Sequence, residues 1–280
     1  MNRRKIEENI FKVLMVVSCL AVLSSLLLIL IMVFIKGIGA MNLAMITQTP
    51  KGGFYLGKEG GVLNAIIGSV YLTGGATVLA ILISLPVALY LNVYAKKKSR
   101  LASFTRFSLD VLWGVPSIVY GAFGFTIMLF FGLRASLLGG IIAVALLILP
   151  IMSRAMDEVI KMVPKEITEA SYSLGATRFE TAFKVVFRQA FGGILTAILI
   201  AFGRGIGDAA SVIFTAGFSD YVPSSLLRPA ATLPLAIFFQ LGTPFPQVQD
   251  RAYASAFILT VIILIIRSEE HTSELQSPNT

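Results

Sequence analysis

Long apolar segments separated by shorter polar ones make up most of this chain. Six apolar segments stand out, at residues 10–35, 62–95, 104–131, 135–153, 191–216 and 252–266. An α-helix rises about 1.5 Å per residue and the hydrocarbon core of a bilayer is about 30 Å thick, so a spanning helix needs about 20 residues. The first five segments reach about this length, whereas residues 252–266 would extend only about 22 Å. The pattern predicts an all-α polytopic membrane protein with six transmembrane helices, of which the last is short.

The chain changes character after the last apolar segment, because residues 267–280 (RSEEHTSELQSPNT) are polar. The change falls inside what is expected to be a spanning helix, and we interpret these residues as a non-native read-through tail. A natural polar tail after a short, tilted helix is the alternative. The rest of the chain is predicted to contain an N-terminal part (1–61), with a cytoplasmic segment, a first anchor and an outer loop, and a transmembrane domain (62–266).

The distribution of lysine and arginine between the loops predicts the orientation. If the N-terminus is cytoplasmic, fifteen of these residues fall on the cytoplasmic side and six on the outer side. Cytoplasmic loops carry the excess of Lys and Arg in membrane proteins, so both ends are expected in the cytoplasm. The cytoplasmic set is Arg3, Arg4, Lys5, Lys12, Lys96, Lys97, Lys98, Arg100, Arg106, Arg154, Lys161, Lys165, Arg178, Lys184 and Arg188, and the outer set is Lys36, Lys51, Lys58, Arg134, Arg228 and Arg251.

Composition excludes several classes of protein. The chain is 56% hydrophobic and 14% charged, whereas soluble domains carry about 25% charged residues. Its net charge of +8 does not indicate a nucleic-acid partner, because the apolar segments are too long. One cysteine (Cys19) and one histidine (His271) leave no Cys- or His-based metal site. Residues 52–58 match the start of a P-loop, but Glu59 stands where Ser or Thr would hold magnesium, so we expect no cofactor, no ATP site and no enzyme activity.

The cytoplasmic stretch 154–189 carries the signals of a defined local structure. Pro164 suits the first position of a helix, and Gly175 suits a left-handed residue that ends it. Thr177 and Glu180 form the pattern of a capping box, which starts a second helix running into the fifth apolar segment. A solvated connector needs no such definition, so this short helix, sharp turn and longer helix predict a docking site for a partner.

Two charged residues, Arg204 and Asp208, lie within the fifth apolar segment. A charge near the middle of a span costs about 2.5–3.5 kcal/mol on insertion scales, and residues four apart share a helix face and can pair. They form either an anion-handling site or a fixed ion pair between two subunits. Arg154, at the inner end of the fourth segment, either lines the same path or is an ordinary snorkelling residue.

The third apolar segment is interrupted by Gly114, Pro116 and Ser117. Broken helices in transporters often mark moving or substrate-lining segments, although proline also occurs in spanning helices without such a role. We expect the Gly114, Pro116 and Ser117 segment to form a gate or part of a pathway.

Three groups of residues resemble a known family. Glu169, Ala170 and Ser171, followed after three residues by Gly175, resemble the EAA loop of ABC-importer permeases, although Val185 to Arg188 lack the proline of that pattern. Residues 113–121 (WGVPSIVYG), and 203–208 (GRGIGD) with FTA at 214–216, are similar to the phosphate permeases of the Pst type, with Asp208 where glutamate is usual. The outer Leu233 and Pro234 fit the PstA-like group of that family.

The resemblance implies a type I ABC importer permease fold with a cytoplasmic coupling helix, in the cell membrane of a prokaryote. It further implies four kinds of partner: two copies of a cytosolic ABC ATPase, a second homologous permease, an extracytoplasmic phosphate-binding protein, and inorganic phosphate. Transport of sulfate, molybdate or another polar solute by the same machinery is one alternative. A secondary transporter driven by an ion gradient is another.

Overall fold

The computed structural model describes residues 3–51, 59–96 and 99–276 of an all-helical chain. Within these ranges, β pairing is confined to one antiparallel bridge between Lys51 and Glu59. The P-loop-like residues 52–58, the loop lysines Lys97 and Lys98 and the end of the expected tail, 277–280, lie outside the described residues. The helices, in chain order, are α1 (Arg3–Ala40), α2 (Leu43–Thr47), α3 (Leu63–Leu89), α4 (Arg100–Trp113), α5 (Ser117–Phe130), α6 (Leu137–Lys161), α7 (Lys165–Ser173), α8 (Arg178–Glu180), α9 (Phe187–Ile206), α10 (Leu233–Leu241) and α11 (Pro246–Gln276).

The predicted polytopic membrane architecture is confirmed. In the described residues, five helical stretches are long and apolar enough to cross a membrane, and the bent pair formed by α4 and α5 makes a sixth if it is one span. Two of the stretches contain a π-helical turn, Tyr90–Tyr94 after α3 and Thr181–Val186 between α8 and α9. Because α4 ends at Trp113 and α5 begins at Ser117, the predicted third segment, 104–131, is not one continuous helix.

Helix α6 is the centre of the fold. Of its most apolar 18 residues, 72% are buried by the rest of the chain, against 0% for α1. Helices α3, α4, α5 and α9 all pack against α6. Residues of α6 such as Val144, Ile148 and Met152 are fully buried in the main core. Helix α1 is attached near its C-terminal end to α11, where Lys36 lies 4.6 Å from the ring centroid of Tyr253.

The last span is longer than the sequence predicts. Helix α11 begins at Pro246, six residues before the predicted segment, and Pro246–Glu269 is long enough to cross a membrane. The extra turns contain Arg251, which is 1% exposed and whose guanidinium donates to the backbone carbonyl of Glu59 at 3.1 Å. The expectation of a short last helix was wrong, since a long-range contact compensates the polar residue that ended the apolar pattern.

The fifth predicted segment is also divided. Helix α9 ends at Ile206, and residues 207–217 form a series of turns rather than the end of a span. Glycine has low helix propensity, and Gly203, Gly205 and Gly207 all lie at this helix end. These turns pack in the protein interior, where Ala216 is fully buried and its carbonyl accepts from the backbone N–H of Ala230 at 3.0 Å.

Candidate functional site

The predicted coupling loop, formed by α7, Gly175 and α8, is closed by hydrogen bonds within and between its two halves. Helix α7 begins at Lys165, so Pro164 is its N-cap rather than its first residue. Gly175 has φ +80°, as predicted, and ends the helix through two hydrogen bonds. Its N–H donates to the carbonyl of Tyr172 at 2.9 Å, and the N–H of Ala176 donates to that of Ser171 at 3.2 Å. This pair of bonds is the Schellman motif, which satisfies carbonyls that a helix end leaves open.

The second half of the loop is capped as the sequence predicts. The N–H of Thr177 donates to Glu180 Oε2 at 3.1 Å, and the N–H of Glu180 donates to Thr177 Oγ1 at 3.3 Å. The two halves are then joined by buried hydroxyl groups, because Ser171 Oγ lies 2.9 Å from Thr181 Oγ1. Both helices of the loop are therefore held in a fixed relative position.

Several large apolar side chains in and beside this loop are exposed. Leu174 is 89% exposed, Met162 80% and Phe179 63%, and the rings of Phe179 and Phe183 are 4.8 Å apart. A cavity of about 290 Å³ opens beside them between α7 and the turn, and Ser171, Leu174, Gly175, Ala176, Glu180, Lys184 and Val185 line it. Contiguous exposed apolar side chains rimmed by charges mark sites of protein interaction.

Arg204 and Asp208 lie at the end of α9 rather than in the middle of a span. Arg204 is in the last turn of the helix, and Asp208 follows it in the irregular segment. Asp208 is 7% exposed, and its Oδ2 accepts from the backbone N–H of Ser211 at 2.8 Å. The carboxylate therefore caps the turn that replaces the predicted helix.

The two charges make only a loose contact within the chain. Arg204 Nη2 lies 4.0 Å from Asp208 Oδ1, and the Arg204 side chain is 53% exposed. Asp208 is thus fixed by the backbone, whereas the guanidinium projects from the surface of the chain. A planar guanidinium presents a fork of donors that matches the oxygens of phosphate or of a carboxylate.

The interruption of the third segment is a sharp corner. Helices α4 and α5 meet at 101°, and Gly114, Val115 and Pro116 form the break, with Ser117 as the first residue of α5. Tyr120 closes the corner by donating its hydroxyl to the carbonyl of Leu112 at 2.8 Å. A Cβ on Gly121 would lie 2.8 Å from the carbonyl oxygen of Ser211, so α5 packs directly against the turn that Asp208 caps.

Arg154 belongs to a different cluster. Its Nε donates to Asp110 Oδ1 at 2.6 Å, and its Nη1 lies 2.9 Å from Asp157 Oδ2 and 3.1 Å from Glu158 Oε1. Three carboxylates therefore surround the side chain that the sequence assigns to a path or to a snorkelling role. A free anion would have to compete with them for this guanidinium.

The centre of this cluster is Asp157, which is fully buried and is not among the residues predicted from the sequence. Its carboxylate also contacts Asn92, Arg106 and Lys161. The sequence predicts a loop from residue 154 onward, whereas in the structure α6 continues to Lys161. A signal was present, because Asp157 stands one residue after buried Met156 and three before buried Ile160, within the apolar face of the helix.

Comparison with known proteins agrees with this architecture. Residues 80–268 match the model of the family described as binding-protein-dependent transport system inner membrane component. The phosphate transport system permease protein PstA of Yersinia pestis is 36% identical over 264 residues, covering 94% of this chain and 88% of the relative. The PstA protein of Haemophilus influenzae is 32% identical, covering 94% and 92%.

Solved structures show the same fold at low sequence identity. An inward-facing crystal structure of the MetNI methionine ABC transporter has a TM-score of 0.61 and 17% identity, and covers 75% of this chain and 93% of its own. A structure of an amino acid ABC transporter with histidines has a TM-score of 0.53 and 21% identity, with coverages of 78% and 93%.

The chain belongs to the family of binding-protein-dependent transport system inner membrane components. It is a multi-pass membrane protein with the type I ABC permease fold, and it acts as a transport component. Within the family it is a PstA-type permease, as its identity to the PstA proteins over most of both chains shows.

Proposed function

We propose that this chain is the transmembrane permease subunit of an ATP-driven phosphate importer. The observation that carries the proposal is the closed loop of α7, Gly175 and α8, which presents exposed apolar side chains in a chain related to PstA proteins over most of its length. Energy comes from ATP hydrolysis in a partner subunit. The excess of Lys and Arg supports a cell-membrane orientation with both termini in the cytoplasm.

The loop serves as the contact with the ATPase. Two cytosolic ABC ATPase subunits dock on the two permeases of the complex, one of them this chain and the other a homologous permease. Glu169, Ala170, Ser171 and Gly175 form the coupling helix and its turn, and Leu174 and Phe179 supply apolar surface for the contact. Because buried hydroxyls tie α7 to the next helix, movement of the ATPase moves both helices together.

Phosphate follows a path near the end of α9. An extracytoplasmic binding protein delivers it, and the exposed Arg204 guanidinium offers it paired donors, with Asp208 holding that end of the helix. The corner at Gly114, Pro116 and Ser117 acts as the gate, since α5 packs on the turn that Asp208 caps. Arg154 contributes at the cytoplasmic end when its carboxylate partners release it.

Uptake of labelled phosphate, with sulfate as competitor, tests the proposal. Cells that lack their own high-affinity phosphate system express the chain with its ATPase, second permease and binding protein, and the control omits only the ATPase. We expect uptake that needs both this chain and the ATPase and that excess sulfate does not reduce. Uptake of sulfate or molybdate instead would assign a different cargo. Uptake by the chain alone, driven by an ion gradient, would identify a secondary transporter and refute the importer.

A further inference from the structure

A buried carboxylate holds three cations at the cytoplasmic end of α6. Asp157 is 0% exposed, and its Oδ2 lies 2.9 Å from Arg106 Nε, 2.9 Å from Arg154 Nη1 and 2.8 Å from Lys161 Nζ. Its Oδ1 accepts from Arg106 Nη2 and from Asn92 Nδ2, each at 2.9 Å. Both oxygens of the carboxylate therefore have at least two donor partners, which compensates its removal from water.

These contacts join three separate parts of the chain. Asn92 lies in the π-helical turn after α3, Arg106 lies in α4, and Asp157 lies in α6. Arg106 uses two parallel N–H bonds, a geometry that fixes direction as well as distance. Arg154 adds a second link from α6 to α4 through Asp110 at 2.6 Å. The cluster therefore sets the position of α4 relative to α6.

Through its helices, the cluster around Asp157 connects the coupling loop with the proposed gate at Gly114 and Pro116. Lys161 is the last residue of α6, and α7 begins four residues later at Lys165. On the other side, α4 leads directly into the corner at Gly114 and Pro116. A displacement of α7 reaches the end of α6 first. From there, the buried contacts of Asp157 with Arg106 and the partly exposed pair of Arg154 and Asp110 are the polar links to α4.

We propose that Asp157 is a positioning residue for transport, which makes the cytoplasmic end of α6 and helix α4 move as one unit when the coupling loop moves. The proposal rests on the proposed function of the chain as an ABC permease. It assigns the bidentate pair of Asp157 and Arg106 to the transmission of movement from the ATPase to the gate. Without this pair the loop can still bind its ATPase, but the remaining link through Asp110, whose side chain is 51% exposed, is too weak to make α4 follow α6.

Asp157→Asn in the complete complex, reconstituted in liposomes with the binding protein, tests this role. We expect the variant complex to assemble and to hydrolyse ATP within twofold of the wild type, while phosphate uptake falls at least tenfold. The matched control is Glu158→Gln, which removes the neighbouring carboxylate that also contacts Arg154 and Lys161 but is 57% exposed. Exposed ion pairs contribute little, so the control is expected to keep uptake within twofold.

The double variant Arg106→Gln/Asp157→Asn covers the case in which Asp157→Asn does not assemble. It removes both charges and places amide groups, which can hydrogen-bond to each other, at both positions. An assembled, ATP-hydrolysing double variant with lost uptake supports the proposal. Wild-type uptake by either variant, a parallel loss of uptake and ATP hydrolysis, or failure of both variants to assemble overturns it. A wild-type complex that imports no phosphate would contradict the proposed cargo and not the role of Asp157. In that case the ratio of ATP hydrolysis to uptake of the solute that is transported, compared between the wild type and Asp157→Asn, tests that role.

Discussion

The hydroxyl of Ser171 lies 2.9 Å from the hydroxyl of Thr181, and both side chains are buried between the two helices of the coupling loop. Ser171→Ala leaves the Thr181 hydroxyl buried without this partner, at a cost of about 1–3 kcal/mol. We expect faster hydrogen exchange throughout 165–186 and weaker ATPase binding. Ser173→Ala is the control, since Ser173 is exposed and bonds only within its own helix. Equal exchange in the two variants would show that the hydroxyl pair does not hold the loop together.

The turn at Gly175 requires a left-handed backbone. A Cβ there would meet nothing within 4 Å, so Gly175→Ala changes only the strain at φ +80°. This strain costs about 1–2 kcal/mol. If the free loop of the variant relaxes out of the turn and the bound loop must adopt it, the same cost corresponds to about a tenfold loss of ATPase affinity. Titration of the permease complex with ATPase subunits measures the loss. Gly192→Ala is matched, because it also meets nothing within 4 Å but lies in the regular helix α9. Unchanged affinity in Gly175→Ala would rule out the need for this turn.

Asp208 has two separable roles, as a charge beside Arg204 and as an acceptor for the N–H of Ser211. Asp208→Asn keeps an oxygen for the N–H but loses the charge, so we expect normal assembly and at least a tenfold fall in phosphate uptake. Asp208→Ala loses both, and the unmet N–H destabilises the turn by about 1–3 kcal/mol. Uptake and the yield of assembled complex distinguish the two roles. Wild-type uptake by Asp208→Asn would argue that the residue only caps the turn.

Apolar length and capping patterns predict most of this fold. Five apolar helices able to cross a membrane, the left-handed Gly175 and the capping box of Thr177 and Glu180 are confirmed, because they depend on local sequence. The predictions are wrong where contacts between residues far apart in the sequence determine the local structure. Composition does not distinguish a helix from turns buried in protein, so the end of α9 at Ile206 was missed. The buried Asp157 was missed because Arg106, its bidentate partner, is 51 residues away in sequence.

The close approach of α5 to the turn after Asp208 can be tested with two glycines of one helix. A Cβ on Gly121 would lie 2.8–2.9 Å from the carbonyl oxygens of Ser211 and Ala210, and backbone atoms cannot easily move aside. A Cβ on Gly124 would meet side-chain atoms at 3.4 Å, which is an ordinary contact. Overpacking costs about 1–3 kcal/mol.

We therefore expect Gly121→Ala to lower the melting temperature of the complex and to reduce uptake, while Gly124→Ala changes neither appreciably. Thermal unfolding followed by uptake in the same preparations provides the comparison. If Gly121→Ala transports and melts like the wild type, α5 does not pack tightly on this turn in the working transporter. The gate at Gly114 and Pro116 would then be joined to the segment that Asp208 caps only by looser contacts, such as that of Phe125 with Phe214, whose ring centroids are 6.1 Å apart.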